Sequence, residues 1–168
     1  MDAKTTIKDS IAMAEMIGMA YLGDLSDAEL MKRPHPECNH INYQLGHLIT
    51  SEHGMMSGMG VAMPALPNGF AEKYAKECAK SDDASKFATK DELMQVYKAQ
   101  RAATLAALDK ADIVDFDKST GVDYAPTVGS MYAMQGAHWM MHCGQWVVVR
   151  RMCGKPIVTW ATRDLVKT

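Results

Sequence analysis

The chain has 168 residues, of which 48% are hydrophobic and 23% are charged, and its formal net charge is -2. We expect one soluble domain, residues 1–168, whose core is large enough to need no disulfide bonds. The near-neutral charge does not imply a basic surface, so we expect no nucleic-acid partner, and no run of about 18 apolar residues occurs that would form a membrane span.

The first helix is predicted over about residues 4–22, where apolar side chains recur at helical spacing. A short helical turn at residues 25–30 follows, in which Ser26 is the expected N-cap and Glu29 stands three residues later. Two prolines then predict an extended connector to the next long helix.

The second long helix is predicted from about Asn39, its expected N-cap, to Met59. One face is apolar apart from an intruding Glu52. A second face is polar or small and contains His40, Tyr43, His47, Ser51 and Gly54. A helix with two such faces is expected to bury the first and to line a wet surface with the second.

A long crossing segment, residues 60–88, separates this helix from the next and is rich in glycine and proline at its start. It is longer than a short helix–helix connection, so we expect a loop with one or two helical turns that serves as a lid or as a dimer contact. The third long helix is predicted to begin at a capping box, with Thr89 as N-cap and Glu92 reaching back, and to end near Asp109.

The fourth long helix is predicted over residues 128–153, because Pro126 precedes it and Gly154 follows it as a natural stop. Arg150 and Arg151 lie in its last turn, where we expect them to interact with the negative end of the helix dipole.

A short final helix is expected around residues 161–166. No segment has a strand pattern of useful length. Four long helices with one long crossover connection predict an all-α four-helix bundle.

Two histidines of the fourth helix, His138 and His142, lie four residues apart and therefore on one helical face. Such a pair is typical of a divalent metal site that takes its third ligand from another helix. His47 is the best candidate for that ligand because it lies near the middle of the second helix on the polar face. Gly46 before it is expected to let the neighbouring backbone approach closely.

The remaining histidines are poorer candidates for metal ligands. His53 lies on a different face of the second helix, while His35 and His40 lie near the connector, where exposure to solvent is expected. A single histidine on a helix is also often a hydrogen-bonded core residue.

Three neutral imidazoles leave at least one coordination position open, which is typical of a catalytic rather than a structural site. A water molecule in that position would have its pKa lowered toward neutrality. Imidazole ligands suit zinc, nickel, copper or iron, and zinc or nickel is our expectation. A zinc peptidase of the HExxH type is excluded, since Trp139 stands where the glutamate would be.

Three further side chains lie near the histidines in the sequence. We expect Gln145 either to orient a ligand histidine or a metal-bound water, or to bond to a neighbouring helix. Tyr43, one turn before His47, is expected to pack as an aromatic ring or to donate a hydrogen bond to the site. Cys143 points about 100° away from His142 around the helix and is expected to be a packed thiol.

The four cysteines contain no CxxC pair, and the sequence shows no secretory signal, so we expect free thiols in a cytoplasmic protein. Methionine is abundant, at 15 of 168 residues. We expect it to fill the helical core, with an adaptable binding groove as the alternative.

Two segments resemble motifs of a known family. Residues 42–48, NYQLGHL, are similar to the second-helix motif of the DinB/YfiT-like superfamily, and residues 138–145, HWMMHCGQ, resemble its HxxxHxGQ motif. Residues 24–30 resemble its connector, so the likeness spans nearly the whole chain. The resemblance implies an antiparallel bundle with one long crossover, often a homodimer, and a metal site at His47, His138 and His142.

Members of this superfamily include metal-dependent transferases and isomerases that use low-molecular-weight thiols such as mycothiol or bacillithiol. The resemblance therefore implies an enzyme in which a divalent metal activates a water or a small thiol for transfer or hydrolysis on a small-molecule substrate. Tyr43 departs from the family, whose members often carry tryptophan there. The alternative is a non-catalytic binding module that a metal stabilises.

Overall fold

The computed structural model describes residues 2–157, so the helix expected at residues 161–166 lies outside the described residues. Its α-helices are α1 (Ala3–Leu22), α2 (Asp27–Leu30), α3 (Ile41–Gly58), α4 (Phe70–Lys73), α5 (Lys90–Lys110) and α6 (Val128–Met152). Single 3-10 turns occur at Lys76–Cys78, Ala84–Lys86 and Ile113–Asp115. The all-α prediction is confirmed.

α1 and α6 run parallel to each other. Gly136 of α6 lies against the backbone of Ser10, and Arg150 further along α6 donates from Nη1 to the Tyr21 carbonyl oxygen at 2.6 Å. The residue numbers of the contacting positions increase together along both helices, so the two helices point in the same direction.

α3 runs antiparallel to α6. Near the start of α3, Gln44 accepts a hydrogen bond from the Trp146 indole at 2.9 Å. Toward its end, the Met55 sulfur contacts Gln135 at 3.4 Å.

α3 and α5 are parallel, although they are successive long helices of the chain, separated only by the short α4 and its flanking loops. Near the start of α3, Asn42 Nδ2 donates to the Ala88 carbonyl oxygen at 2.8 Å. Further along both helices, Glu52 of α3 forms an ion pair with Arg101 of α5. Parallel consecutive helices require the chain to return along the length of the bundle. The length of residues 60–88 follows from this topology, and the prediction of one long crossover is confirmed.

Local sequence accounts for the starts of the short helix and of α5. Ser26 with Glu29, and Thr89 with Glu92, form the two predicted capping boxes, in which each side chain bonds the backbone N–H of the other residue.

The start of α3 differs from the prediction, because His40 rather than Asn39 is its N-cap. His40 Nδ1 accepts from the backbone N–H of Tyr43 at 3.0 Å, and Nε2 donates to the Ser81 carbonyl oxygen at 3.1 Å. The side chain is fully buried, so the expected exposure of His40 to solvent is wrong. An imidazole reaches both the helix start and the crossover segment, which an asparagine side chain is too short to do.

The crossover segment packs closely on the first half of α3. The ring of Tyr74 occupies the space beside Gly46, where a Cβ atom would lie 2.1 Å from its Cδ1. The Tyr74 hydroxyl donates to Asn42 Oδ1 and accepts from the Ala88 N–H. Gly46 therefore admits an aromatic ring rather than the backbone we expected. Arg33 adds two hydrogen bonds to crossover carbonyl oxygens.

Arg150 has a larger part than its predicted effect on the helix dipole. Its guanidinium is buried and donates to Asp24, to the Tyr21 carbonyl oxygen and to the Pro156 carbonyl oxygen. These bonds fasten the end of α6 to the end of α1.

The cysteines are free thiols, as expected. Cys143 is buried in the apolar core, and burial raises its pKa to about 12, so it is a packed thiol rather than a nucleophile. None of the helices in residues 2–157 combines the length and apolar character that a membrane span requires.

Candidate metal site

The antiparallel packing of α3 on α6 brings three histidines together. The ring centroid of His47 lies 5.2 Å from that of His138 and 5.6 Å from that of His142, and the two histidines of α6 are 5.0 Å apart. One nitrogen from each ring lies within 4.8 Å of the other two. The structure thus assembles the three residues that the sequence singled out.

The distances and the chemistry of this cluster fit a single divalent ion. Two imidazole nitrogens bound to one tetrahedral zinc at about 2.0–2.1 Å lie about 3.4 Å apart. His138 Nε2 and His142 Nε2 are 3.3 Å apart. The group consists of three imidazoles without a carboxylate, which favours zinc, nickel, copper or iron over calcium or magnesium.

All three imidazoles are neutral at neutral pH. Burial lowers the pKa of His47. Burial, reinforced by the charge of His47, lowers the pKa of His138 to about 4. Burial together with the charges of its two neighbours lowers the pKa of His142 to about 3. Neutral rings keep the lone pairs that a metal ligand must offer.

The cluster is open on one side. His142 is buried, whereas His47 and His138 are half-buried. Met141 and Gln145 are exposed neighbours of these histidines on α6. The cluster is therefore in contact with solvent through His47 and His138.

Gln44 orients His142, a role that the sequence did not reveal. Its Oε1 accepts from His142 Nδ1 and from the Trp146 indole, each at 2.9 Å, and its Nε2 donates to the Asn39 carbonyl oxygen at 2.7 Å. The indole is only a donor and the carbonyl only an acceptor, so the orientation of the amide is fixed. The proton of His142 is therefore on Nδ1, and the Nε2 lone pair faces His138.

Of the two roles expected for Gln145, the structure shows the hydrogen bond to a neighbouring helix, because its partner is Gln44 of α3. Its Oε1 accepts from Gln44 Nε2 at 3.2 Å, and its side chain is otherwise exposed. The sequence offered one signal for Gln44: a polar residue three positions before His47 on a helix face that α6 covers. Which of the two glutamines meets His142 depends on how α3 and α6 are rotated against each other.

Tyr43 stacks on His47, with ring centroids 6.4 Å apart and planes 5° from parallel. Its hydroxyl points to the crossover segment, where the Ala75 carbonyl oxygen is 3.4 Å away. The structure places Tyr43 as an aromatic wall beside the site.

The other candidate histidines lie outside the cluster. His53 Nδ1 is 3.1 Å from Gln100 Oε1 of α5, and His35 Nδ1 accepts from the backbone N–H of Glu37. Each has a local partner away from the three nitrogens.

Comparison with known families gives a match to the DinB superfamily over residues 15–146, which is well over half of the chain. Neither curated proteins nor solved structures gave a significant match. The matched region contains α3 and the part of α6 that carries His138 and His142, and the fold is the all-helical one expected from the motifs. This chain is a member of the DinB superfamily.

Proposed function

We propose that the protein is a metal-dependent enzyme in which His47, His138 and His142 hold one divalent ion, zinc or nickel, for attack by a water or a small thiol on a small electrophile. The observation that carries this proposal is the convergence of three neutral imidazoles on one point that is open to solvent. Three nitrogen ligands and an open position are the arrangement of catalytic rather than structural metal sites.

A bound divalent ion supplies Lewis-acid chemistry, which lowers the pKa of a coordinated water or thiol. The protein's own groups prepare the site for it. Gln44 holds the Nδ1–H of His142, so that Nε2 presents its lone pair. Tyr43 supports the ring of His47 by stacking.

Substrate is proposed to enter over Met141 and Gln145, the exposed side chains beside the histidines on α6. Met141 offers an adaptable apolar contact, and the amide of Gln145 offers a donor and an acceptor to a polar group. Membership of the superfamily supports a metal at this place, and the small-thiol nucleophile follows from the resemblance of the motifs.

The first test is elemental analysis of untagged protein prepared without nickel chromatography. We expect about one equivalent of metal in the wild type and little in His138→Ala. His53→Ala is the matched control, because it removes a histidine from α3 outside the cluster and should retain the metal. Wild-type protein without metal, and with a melting temperature indifferent to a chelator, would refute the proposed site.

The second test is turnover, in a screen of small electrophiles with water, mycothiol or bacillithiol as the nucleophile. Activity should disappear in folded His47→Ala and persist in His53→Ala. If the metal is bound stoichiometrically but no turnover depends on His47, the protein is a metal-stabilised binding module instead.

We further propose that the protein is a homodimer that uses the outer face of α6. Apolar or small residues are exposed there in one stripe: Ala133, Ala137, Met140, Gly144 and Val148. Exposed apolar patches of this kind mark interaction surfaces. Val148→Glu should yield a monomer by light scattering, whereas Val114→Glu, at an exposed site in the connection to α6, should not. A monomeric wild type would exclude this assembly.

A cytoplasmic location is likewise our proposal. Free thiols at all four cysteines support a reducing compartment. Fractionation of the native host with an antibody would test it, and recovery from an oxidising compartment would contradict it.

A further inference from the structure

A buried ion pair lies where α1, α3, α5 and α6 meet. Arg101 Nη2 of α5 is 2.9 Å from Glu52 Oε2 of α3, and the two side chains are only 5% and 4% exposed. Glu52 is the residue that interrupts the apolar face of α3 in the sequence. A single contact satisfies one atom on each partner and leaves the others to be accounted for.

Around this pair, several buried polar atoms have no hydrogen-bond partner within residues 2–157. They are Glu52 Oε1, Arg101 Nε and Nη1, Tyr97 Oη, Thr104 Oγ1 and Trp139 Nε1. Every buried side-chain atom without such a partner in the described part of the chain belongs to this one set. Buried polar groups in folded proteins almost always have a partner, either another protein group or an ordered water.

The side chains of Arg101, Tyr97 and Trp139, which carry some of these atoms, pack against one another. The Arg101 guanidinium carbon lies 5.5 Å from the centroid of the Tyr97 ring and 5.9 Å from that of Trp139, and these two rings stack at 4.6 Å. The Thr104 hydroxyl lies beside the Glu52 carboxyl without hydrogen-bond geometry. One small molecule at this point could therefore meet groups from three helices.

The charges of the cluster indicate what kind of molecule fits. Burial raises the pKa of the Glu52 carboxyl, Arg101 opposes that shift, and the Glu15 carboxyl of α1 adds to it. Glu52 and Arg101 compensate each other's charge, so their unpaired atoms need a partner that carries no charge. Such a molecule must accept from N–H donors while donating to Glu52 Oε1.

We propose that the centre of the bundle binds at least one ordered water molecule, which bridges Glu52 Oε1 to the free donors of Arg101 and to the Trp139 indole. A buried water typically makes about three hydrogen bonds to groups that would otherwise lack them. Gly18 of α1 leaves room for the indole edge, since a Cβ atom there would lie 2.0 Å from Trp139 Nε1.

The test is water–protein NMR on the full-length 15N-labelled protein. Trp139 and Trp146 are equally buried, but the Trp146 indole already donates to Gln44. We expect the Trp139 indole proton to show dipolar cross peaks to water, with opposite signs in NOE and rotating-frame spectra, and the Trp146 proton to show none. The Trp139→Phe variant assigns the signal.

Indistinguishable behaviour of the two indoles, with no water contact at either, would overturn the proposal. A high-resolution crystal structure gives an independent answer that requires no variant to fold. Solvent density within hydrogen-bonding distance of Arg101 and Glu52 Oε1 would support the proposal. Direct pairing of these atoms with other side chains, or a bound ion in their place, would refute it.

Discussion

Two polar clusters lie inside the same apolar bundle, and they differ in their exposure to solvent and in their charge. The histidine site, His47 with His138 and His142, is half-open and uncharged. The buried ion pair, Glu52 with Arg101, is closed and holds opposite charges that compensate each other. Both interrupt helices that are otherwise packed through apolar side chains.

The difference shows that polar groups inside one bundle can either satisfy each other or remain available to a ligand. In the ion pair, each charge stabilises the other, so the groups that remain unsatisfied need only a neutral hydrogen-bond partner. In the histidine site, three lone pairs converge without any opposing charge, an arrangement that suits a cation.

The largest expected effect is on the closed cluster. Arg101→Met should lower the free energy of unfolding by about 3–5 kcal/mol, because it leaves the Glu52 carboxylate buried without its partner. The double variant with Glu52→Met should recover most of that loss. Urea unfolding measures both, and equal losses in the single and double variants would show that the charge pair is not the source.

The second prediction concerns His40, which is fully buried, unlike the partly exposed His47 and His138. Burial, aided by the charge of Arg33, lowers the pKa of His40 from 6.5 to about 4. Below pH 6.5, His40 binds a proton in the unfolded chain but not in the folded protein. Its contribution to stability is therefore fully present above that pH and is lost as the pH falls toward 4. The loss is about 3 kcal/mol.

The measurement is the pH dependence of unfolding in wild type and in His40→Asn, which keeps a capping side chain that does not titrate in this range. The variant should have a flatter profile between pH 6.5 and 4. Parallel profiles would show that His40 is not responsible for the acid sensitivity.

The third prediction concerns metal removal at the open site. At a free metal concentration of about 100 times the dissociation constant, bound metal stabilises the folded state by about 2.7 kcal/mol. A chelator should abolish that increment in the wild type and in Arg101→Met, and should change nothing in His138→Ala. A chelator effect that survives in His138→Ala would place the metal elsewhere.

The smallest expected effect separates the two glutamines. Gln44→Met should weaken metal binding about 10–100-fold, because His142 loses the acceptor that fixes its tautomer. Gln145→Met should change the affinity little, since Gln145 reaches the histidines only through Gln44. Competition against a chromophoric chelator measures both. Equal losses in the two variants would show that Gln44 has no specific role in orienting His142.

Much of the fold and the three histidines could be predicted from the sequence, because both depend on local spacing. Capping boxes mark where α2 and α5 begin, and two histidines four residues apart must share a helical face. His47 followed from its place on the polar face of α3. These signals need no knowledge of how distant helices meet.

What the sequence did not reveal depends on long-range packing. Gln44 matters because α3 is rotated so that its amide faces His142. His40 is buried because residues 60–88 cross over it, and Glu52 is tolerated because Arg101 lies opposite on α5. Each partner is remote in the chain, and periodicity along one helix says nothing about which residue stands across from it.

The pairing of α1 with α6 has a consequence for how the protein is made. α1 leaves the ribosome first, yet its main packing partner is the last of the long helices, to which Arg150 fastens it at Tyr21 and Asp24. Chains are synthesised at about 5–20 residues per second, so the apolar face of α1 stays uncovered for roughly 7–26 seconds until α6 is complete. His47 waits in the same way for its two partners on α6. A nascent chain can therefore complete neither its bundle nor its histidine cluster until α6 has emerged.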